Sequence, residues 1–139
     1  MQYDILFLED NPDVHEFGLA LFPYYNLSAI DFFSGVKALE YLQKEDPHIP
    51  LAYLCDMRIV GGEEELDSSL GIYRFLQERQ KVDLFRFFTG HVSEHDRNVL
   101  GLTGASVIVK PDIAGLYAFL EEVRTKRDAL GKARRVGLI

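Results

Sequence analysis

The residues of this chain that could do chemistry are acids, a threonine and a lysine, each set directly behind a short apolar run. Glu9 and Asp10 follow Asp4-Ile5-Leu6-Phe7-Leu8, and Asp56 follows Pro50-Leu51-Ala52-Tyr53-Leu54-Cys55. Thr89 follows Leu84-Phe85-Arg86-Phe87-Phe88, and Lys110 follows Ser106-Val107-Ile108-Val109. Three carboxylates gathered in one crevice repel and cannot all stay ionised without a counter-charge. A hard divalent cation answers that need, and Mg2+ suits one or two carboxylates plus a phosphate oxygen, because it takes oxygen ligands and keeps some of its waters. A carboxylate is also a competent nucleophile that can form an aspartyl phosphate. Lys110 would supply a point charge to one phosphoryl oxygen and Thr89 a hydroxyl donor to another. The chemistry these types spell is metal-assisted phosphoryl transfer. Singly, each has a plainer reading: Asp56 opens a turn, Thr89 forms one, and Glu9 and Lys110 are solvated charge.

What decides between the readings is whether the elements bring these residues together. The run Pro50–Cys55 leading into Asp56 is continuous rather than alternating, as in a strand covered on both faces, and Asp4–Leu8 and Leu84–Phe88 read as strands as well. Leu27–Phe33 and Ser106–Val109 read as two further strands. Helical patterns separate them. Asn11 caps a helix with Pro12 at its first position, carrying Val14, Phe17, Leu19 and Leu21 inward and stopping before Pro23. Ser34 caps a second helix to about Lys44, with Val36, Leu39 and Leu42 at helical spacing. A third, short one covers about Leu70–Gln80, a fourth runs from Ser93 to about Leu102, and the last from Asp112 to about Leu130 with Gly131 as C-cap. Met57–Ser69, acidic and with paired glycines, reads as a long loop. Five strands alternating with five helices argue a doubly wound α/β domain with a parallel sheet. In such sheets the strands' carboxyl ends share one edge, so all the chemistry-bearing residues converge there. Arg86 inside a central strand must snorkel, pair with an acid, or mark a break in the pattern.

The bulk properties agree. A chain of 139 residues, 47% hydrophobic, is one domain's worth with a real core. A net charge of -7 argues against a membrane-surface or nucleic-acid binder. The single cysteine, Cys55, excludes an internal disulfide and reads as a buried, inert thiol. No leader or membrane-crossing run is visible, which points to the cytoplasm. The four histidines (His15, His48, His91, His95) have no metal-ligand spacing and read as surface residues.

Glu9-Asp10-Asn11-Pro12, the apolar strand ending in Asp56, Thr89-Gly90, Gly104-Ala105 and Lys110-Pro111 occur in the order and near spacing of one family. Over about residues 3 to 130 the chain resembles the receiver domain of two-component response regulators. The resemblance implies the flavodoxin-like sheet order 2-1-3-4-5, a receiver domain over 1–130 and a C-terminal tail or linker stub over 131–139. It implies Asp56 as phosphoacceptor, Asp10 and Asp56 as Mg2+ ligands, Glu9 assisting through water, and the Arg58 backbone carbonyl as a further ligand. Thr89 would be the switch hydroxyl and Lys110 the phosphoryl-binding lysine. The partners implied are a sensor histidine kinase or phosphotransfer protein, and a downstream protein met through the last two helices and fifth strand. Homodimerisation is compatible with this; direct nucleic-acid or membrane contact is not expected. The domain would be a signalling module rather than an enzyme, catalysing at most its own phosphorylation and dephosphorylation. His91, two places after Thr89, would face the phosphoryl site and set the dephosphorylation rate.

Two departures stand out. Val60 and the stretch Gly61–Ser69 replace the short loop that the family carries after its phosphoacceptor. Val107 replaces the aromatic residue three places before the lysine, whose swing reports the state of the threonine. These leave a second reading, a degenerate receiver acting as a constitutive interaction domain. An aspartyl-phosphate hydrolase would need a further general acid and a substrate cap that the sequence lacks. Flavin binding is disfavoured by the acidic first loop.

Overall fold

A computed structural model describes residues 3–46, 48–57, 63–90, 94, 98, 106–110, 112–135 and 137, with the backbone alone for 63–68, 134 and 135. Five strands form one parallel sheet: β1 (Ile5–Leu8), β2 (Ala29–Phe32), β3 (Ala52–Cys55), β4 (Phe85–Thr89) and β5 (Ser106–Val109), in the order β2-β1-β3-β4-β5. Helices α1 (Pro12–Leu21), α2 (Gly35–Glu45), α3 (Glu63–Glu78) and α4 (Ile113–Arg135) connect and follow them. The helix expected from Ser93 to Leu102 is helical at Glu94 and Asn98; the rest of it lies outside the described residues.

The uniform apolarity of β1 and β3 has a direct cause. Successive side chains point to opposite faces, and both faces are covered. Leu6, Leu8, Tyr53, Cys55, Phe85 and Phe87 pack with Ala38 and Leu42 of α2 and Leu70, Tyr73 and Leu76 of α3. Ile5, Phe7, Ala52, Leu54, Phe88 and Ile108 pack with Phe22 and with Leu116, Phe119, Leu120 and Val123 of α4. Each large aliphatic or phenyl side chain among them contributes about 2 kcal/mol of burial free energy. Arg86 sits in β4 with both neighbouring strands paired. Its guanidinium lies over the Phe119 ring, 5.0 Å from the ring centroid, donates to the carbonyls of Asp83 and Phe85, and meets Glu122.

Several helix expectations are corrected. The acidic run Glu63–Asp67 is not loop: α3 begins at Glu63 and is 16 residues long. Glutamate is a strong helix former, and acids in the first turn complement the positive end of the helix dipole. The connection after Asp56 is therefore shorter than the sequence suggested. In α1 the inner face carries His15, Gly18 and then Phe22, whereas Phe17 (42%) and Leu19 (36%) are exposed. Val36 of α2 is exposed too, and Gly35, Ala38 and Leu42 face inward. Helix α4 passes through Gly131 and ends at Arg135, since Leu130, Lys132 and Ala133 all favour helix on either side.

Candidate functional site

Each site residue owes its place to a strand end. Leu8 and Cys55 are in register, and the Asp56 N–H donates to the Leu8 carbonyl at 2.8 Å, which sets Asp56 beside Glu9. Thr89 closes β4 in register with Val109, and its carbonyl accepts the Lys110 N–H at 2.8 Å. On the far side of Asp56 the buried Ser69 hydroxyl donates to the Asp56 carbonyl at 3.0 Å, anchoring α3 to the site strand.

At this edge the carboxylates of Glu9, Asp10 and Asp56 each offer an oxygen, all within 4.8 Å of one another. Glu9 is fully buried, Asp56 is 3% exposed and Asp10 is partly open. The Lys110 ammonium stands 2.8 Å from Glu9 Oε1 and 3.4 Å from Asp56 Oδ2. Burial alone would lower the Lys110 pKa; the contact with Glu9 and the charges of Asp56 and Glu9 outweigh it and hold the ammonium above the ordinary lysine value. Glu9 Oε2 accepts the Asn11 N–H at 3.1 Å, and the Asn11 side chain in turn caps α1 by accepting from the N–H groups of Asp13 and Val14. Glu9 Oε1 makes no hydrogen bond of ordinary angle and meets the ammonium only as an ion pair. A buried carboxylate oxygen so served, beside two more carboxylates and one cation, is a donor set that fits a hard divalent ion.

The structure thus gathers Glu9, Asp10, Asp56, Thr89 and Lys110 at one edge. Arg58 and His91 lie outside the described residues. Val107 is half-buried against the core on the α2–α3 side. Cys55 is fully buried beneath Asp56; burial first and the Asp56 charge second push its thiol pKa far up, so it is unreactive.

The sequence reading missed His15. It is 3% exposed, not a surface residue, and lies between Phe7 and Phe33, stacked on the latter at 3.9 Å between ring centroids. Nδ1 is 2.7 Å from the Glu9 carbonyl and Nε2 2.6 Å from Asp31 Oδ2. The available signal was the helical series Asn11, His15, Gly18, Phe22, which runs down one face and puts a small residue beneath the ring.

No family model matches the chain, nor does any curated protein. Solved structures do. The BeF3-activated receiver domain of Klebsiella pneumoniae RstA matches with a TM-score of 0.66 at 22% identity, over 86% of this chain and 97% of that one. The non-phosphorylated HemR receiver domain of Leptospira biflexa matches with a TM-score of 0.64 at 22% identity, over 86% and 92%. The chemotaxis protein CheY4 of Vibrio cholerae matches with a TM-score of 0.66 at 15% identity, over 88% and 99%. The class that sheet order and these likenesses define is the flavodoxin-like receiver fold of response regulators. No described helix is long and apolar enough to cross a membrane.

Proposed function

We propose that the chain is a phosphoacceptor receiver domain that takes a phosphoryl group on Asp56 in a Mg2+-dependent reaction. The observation that carries this reading is the pairing of Asp56 with Lys110 at 3.4 Å, inside an acidic cluster at the carboxyl edge of a receiver-type sheet. An Asp56 carboxylate oxygen attacks the phosphorus of a phosphohistidine on a sensor kinase or phosphotransfer protein. A P–O bond forms and the P–N bond breaks, and the departing imidazole nitrogen takes up a proton. Lys110 moves from Asp56 to a phosphoryl oxygen, remaining close to Glu9, and the Thr89 hydroxyl donates to another oxygen. Asp10, Asp56, Glu9 through water, and the Arg58 carbonyl would hold the Mg2+. When bound, the ion supplies neutralisation of the charge spread over the transferring group.

The product is a two-state surface whose equilibrium shifts with the phosphoryl group, read by a downstream protein in the cytoplasm. Val107 cannot make the swing of an aromatic, so the change at Thr89 reaches the surface through the β4–β5 backbone instead. The same residue supports the second reading, a constitutive interaction domain that is never phosphorylated. Treatment with a small phosphodonor, followed by borohydride reduction and peptide mapping, separates the two. Conversion of Asp56 to the reduced product supports phosphoacceptance; unmodified Asp56, under conditions that label a control receiver, supports the constitutive domain.

A further inference from the structure

Glu9 is held from four directions. Its N–H donates to the Phe32 carbonyl of β2 at 3.1 Å, its Oε2 accepts from Asn11, its Oε1 faces Lys110, and its carbonyl meets His15 Nδ1 at 2.7 Å. The first three follow from the sheet, the cap and the site. The fourth comes from the first turns of α1 and reaches back across the loop.

A carbonyl can only accept, so Nδ1 carries the N–H, and Nε2 faces the Asp31 carboxylate at 2.6 Å. Asp31 lies on the edge strand β2, and Phe33 stacks flat on the ring, 8° from parallel. The ring is thus fixed by two hydrogen bonds and a stack, with no freedom to turn. What it grips is a peptide plane. The Glu9 carbonyl and the Asp10 N–H belong to one rigid unit, so holding that oxygen sets the direction in which Asp10 leaves the strand.

We propose that His15, backed by Asp31, is the positioning residue that sets the Glu9–Asp10 peptide plane and thereby aims both carboxylates at the cation site beside Asp56. This rests on the metal-binding reading above and goes beyond it, since neither His15 nor Asp31 is among the residues that would hold the ion or the phosphoryl group. Partners of this kind behind metal ligands typically change affinity by about 10-fold or more when removed.

The test compares two substitutions that rank oppositely for positioning and for packing. His15→Asn puts an amide N–H where Nδ1 was and loses the stack. His15→Phe keeps the stack between Phe7 and Phe33 and loses both hydrogen bonds. In the folded full chain, Mn2+ affinity measured by electron paramagnetic resonance should fall about 10-fold in His15→Phe and stay within about threefold of wild type in His15→Asn. Asp31→Asn, an exposed change, should lie between. Amide hydrogen exchange of Asn11, whose N–H is held by Glu9, should speed up locally in His15→Phe and not in His15→Asn. The reverse ranking, or unchanged affinity and exchange in folded His15→Phe, overturns the proposal. Wild type that binds no Mn2+ sinks the metal reading instead, and the Asn11 exchange rates then decide the positioning role alone.

Discussion

Replacing Lys110 with methionine removes the one cation within reach of the Glu9 and Asp56 carboxylates among the described residues, while keeping most of the stem. The ammonium is 2.8 Å from Glu9, which is fully buried, and 3.4 Å from Asp56. Unit charges about 4 Å apart at an effective dielectric near 20 interact by about 4 kcal/mol. The lysine side chain is 21% exposed, so water screens part of this, and the variant no longer pays to desolvate the ammonium. Breaking a buried pair costs about 3–5 kcal/mol, and the exposure puts Lys110→Met near the lower end, about 3 kcal/mol. That is a large share of the stability of a domain this size. Urea unfolding in metal-free buffer should show it as a lower midpoint with an unchanged slope. Mg2+ should then narrow the gap, because a cation bound to the folded state alone adds about 2.7 kcal/mol at 100 times its dissociation constant, and it binds more tightly where no ammonium competes. A variant as stable as wild type without metal, or a gap that Mg2+ leaves unchanged, refutes the electrostatic reasoning.

Gly18→Ala should destabilise the fold by about 1–2 kcal/mol by calorimetry despite the helix-propensity gain, because the new Cβ would lie 2.5 Å from two carbons of the buried Phe7 ring. Stability against pH should fall on the alkaline side. The thiol of Cys55, the hydroxyl of Tyr53 and the ammonium of Lys110 all hold protons more tightly folded than unfolded, so their contributions are fully present below about pH 9 and are lost above it, beginning with Cys55, whose ordinary value is 9.0. Thermal melts from pH 7 to 10 measure this, and Cys55→Ala should remove the first part of the fall; a flat wild-type profile contradicts it. A thiol reagent should leave native Cys55 untouched and label it only on unfolding.

The centre of the sheet was legible because β1 and β3 are buried on both faces, so Ile5–Leu8 and Ala52–Cys55 carry unbroken apolar runs. The placement of Glu9, Asp10, Asp56, Thr89 and Lys110 was legible because each falls at or just past a strand end, a position that depends on chain order and not on side-chain detail. What escaped reading depends on tertiary context. The acids at Glu63–Glu65 resemble a loop by composition, yet they open α3. Phe17 looks like core by type, but the face of α1 that meets the sheet is the one with Gly18, where only a residue without a side chain clears Phe7. His15 looks like a surface residue for the same reason: its partners, the Glu9 carbonyl and Asp31, are brought to it by the loop and by an edge strand.

The measurement to make first is intact mass after incubation with acetyl phosphate, with and without Mg2+, on wild type, Asp56→Asn and Lys110→Met. Wild type should gain the mass of one phosphoryl group only when Mg2+ is present, Asp56→Asn should gain none, and Lys110→Met should gain it far more slowly. Labelling that persists in Asp56→Asn or ignores Mg2+, or no labelling where a control receiver is labelled, contradicts phosphoryl transfer to Asp56.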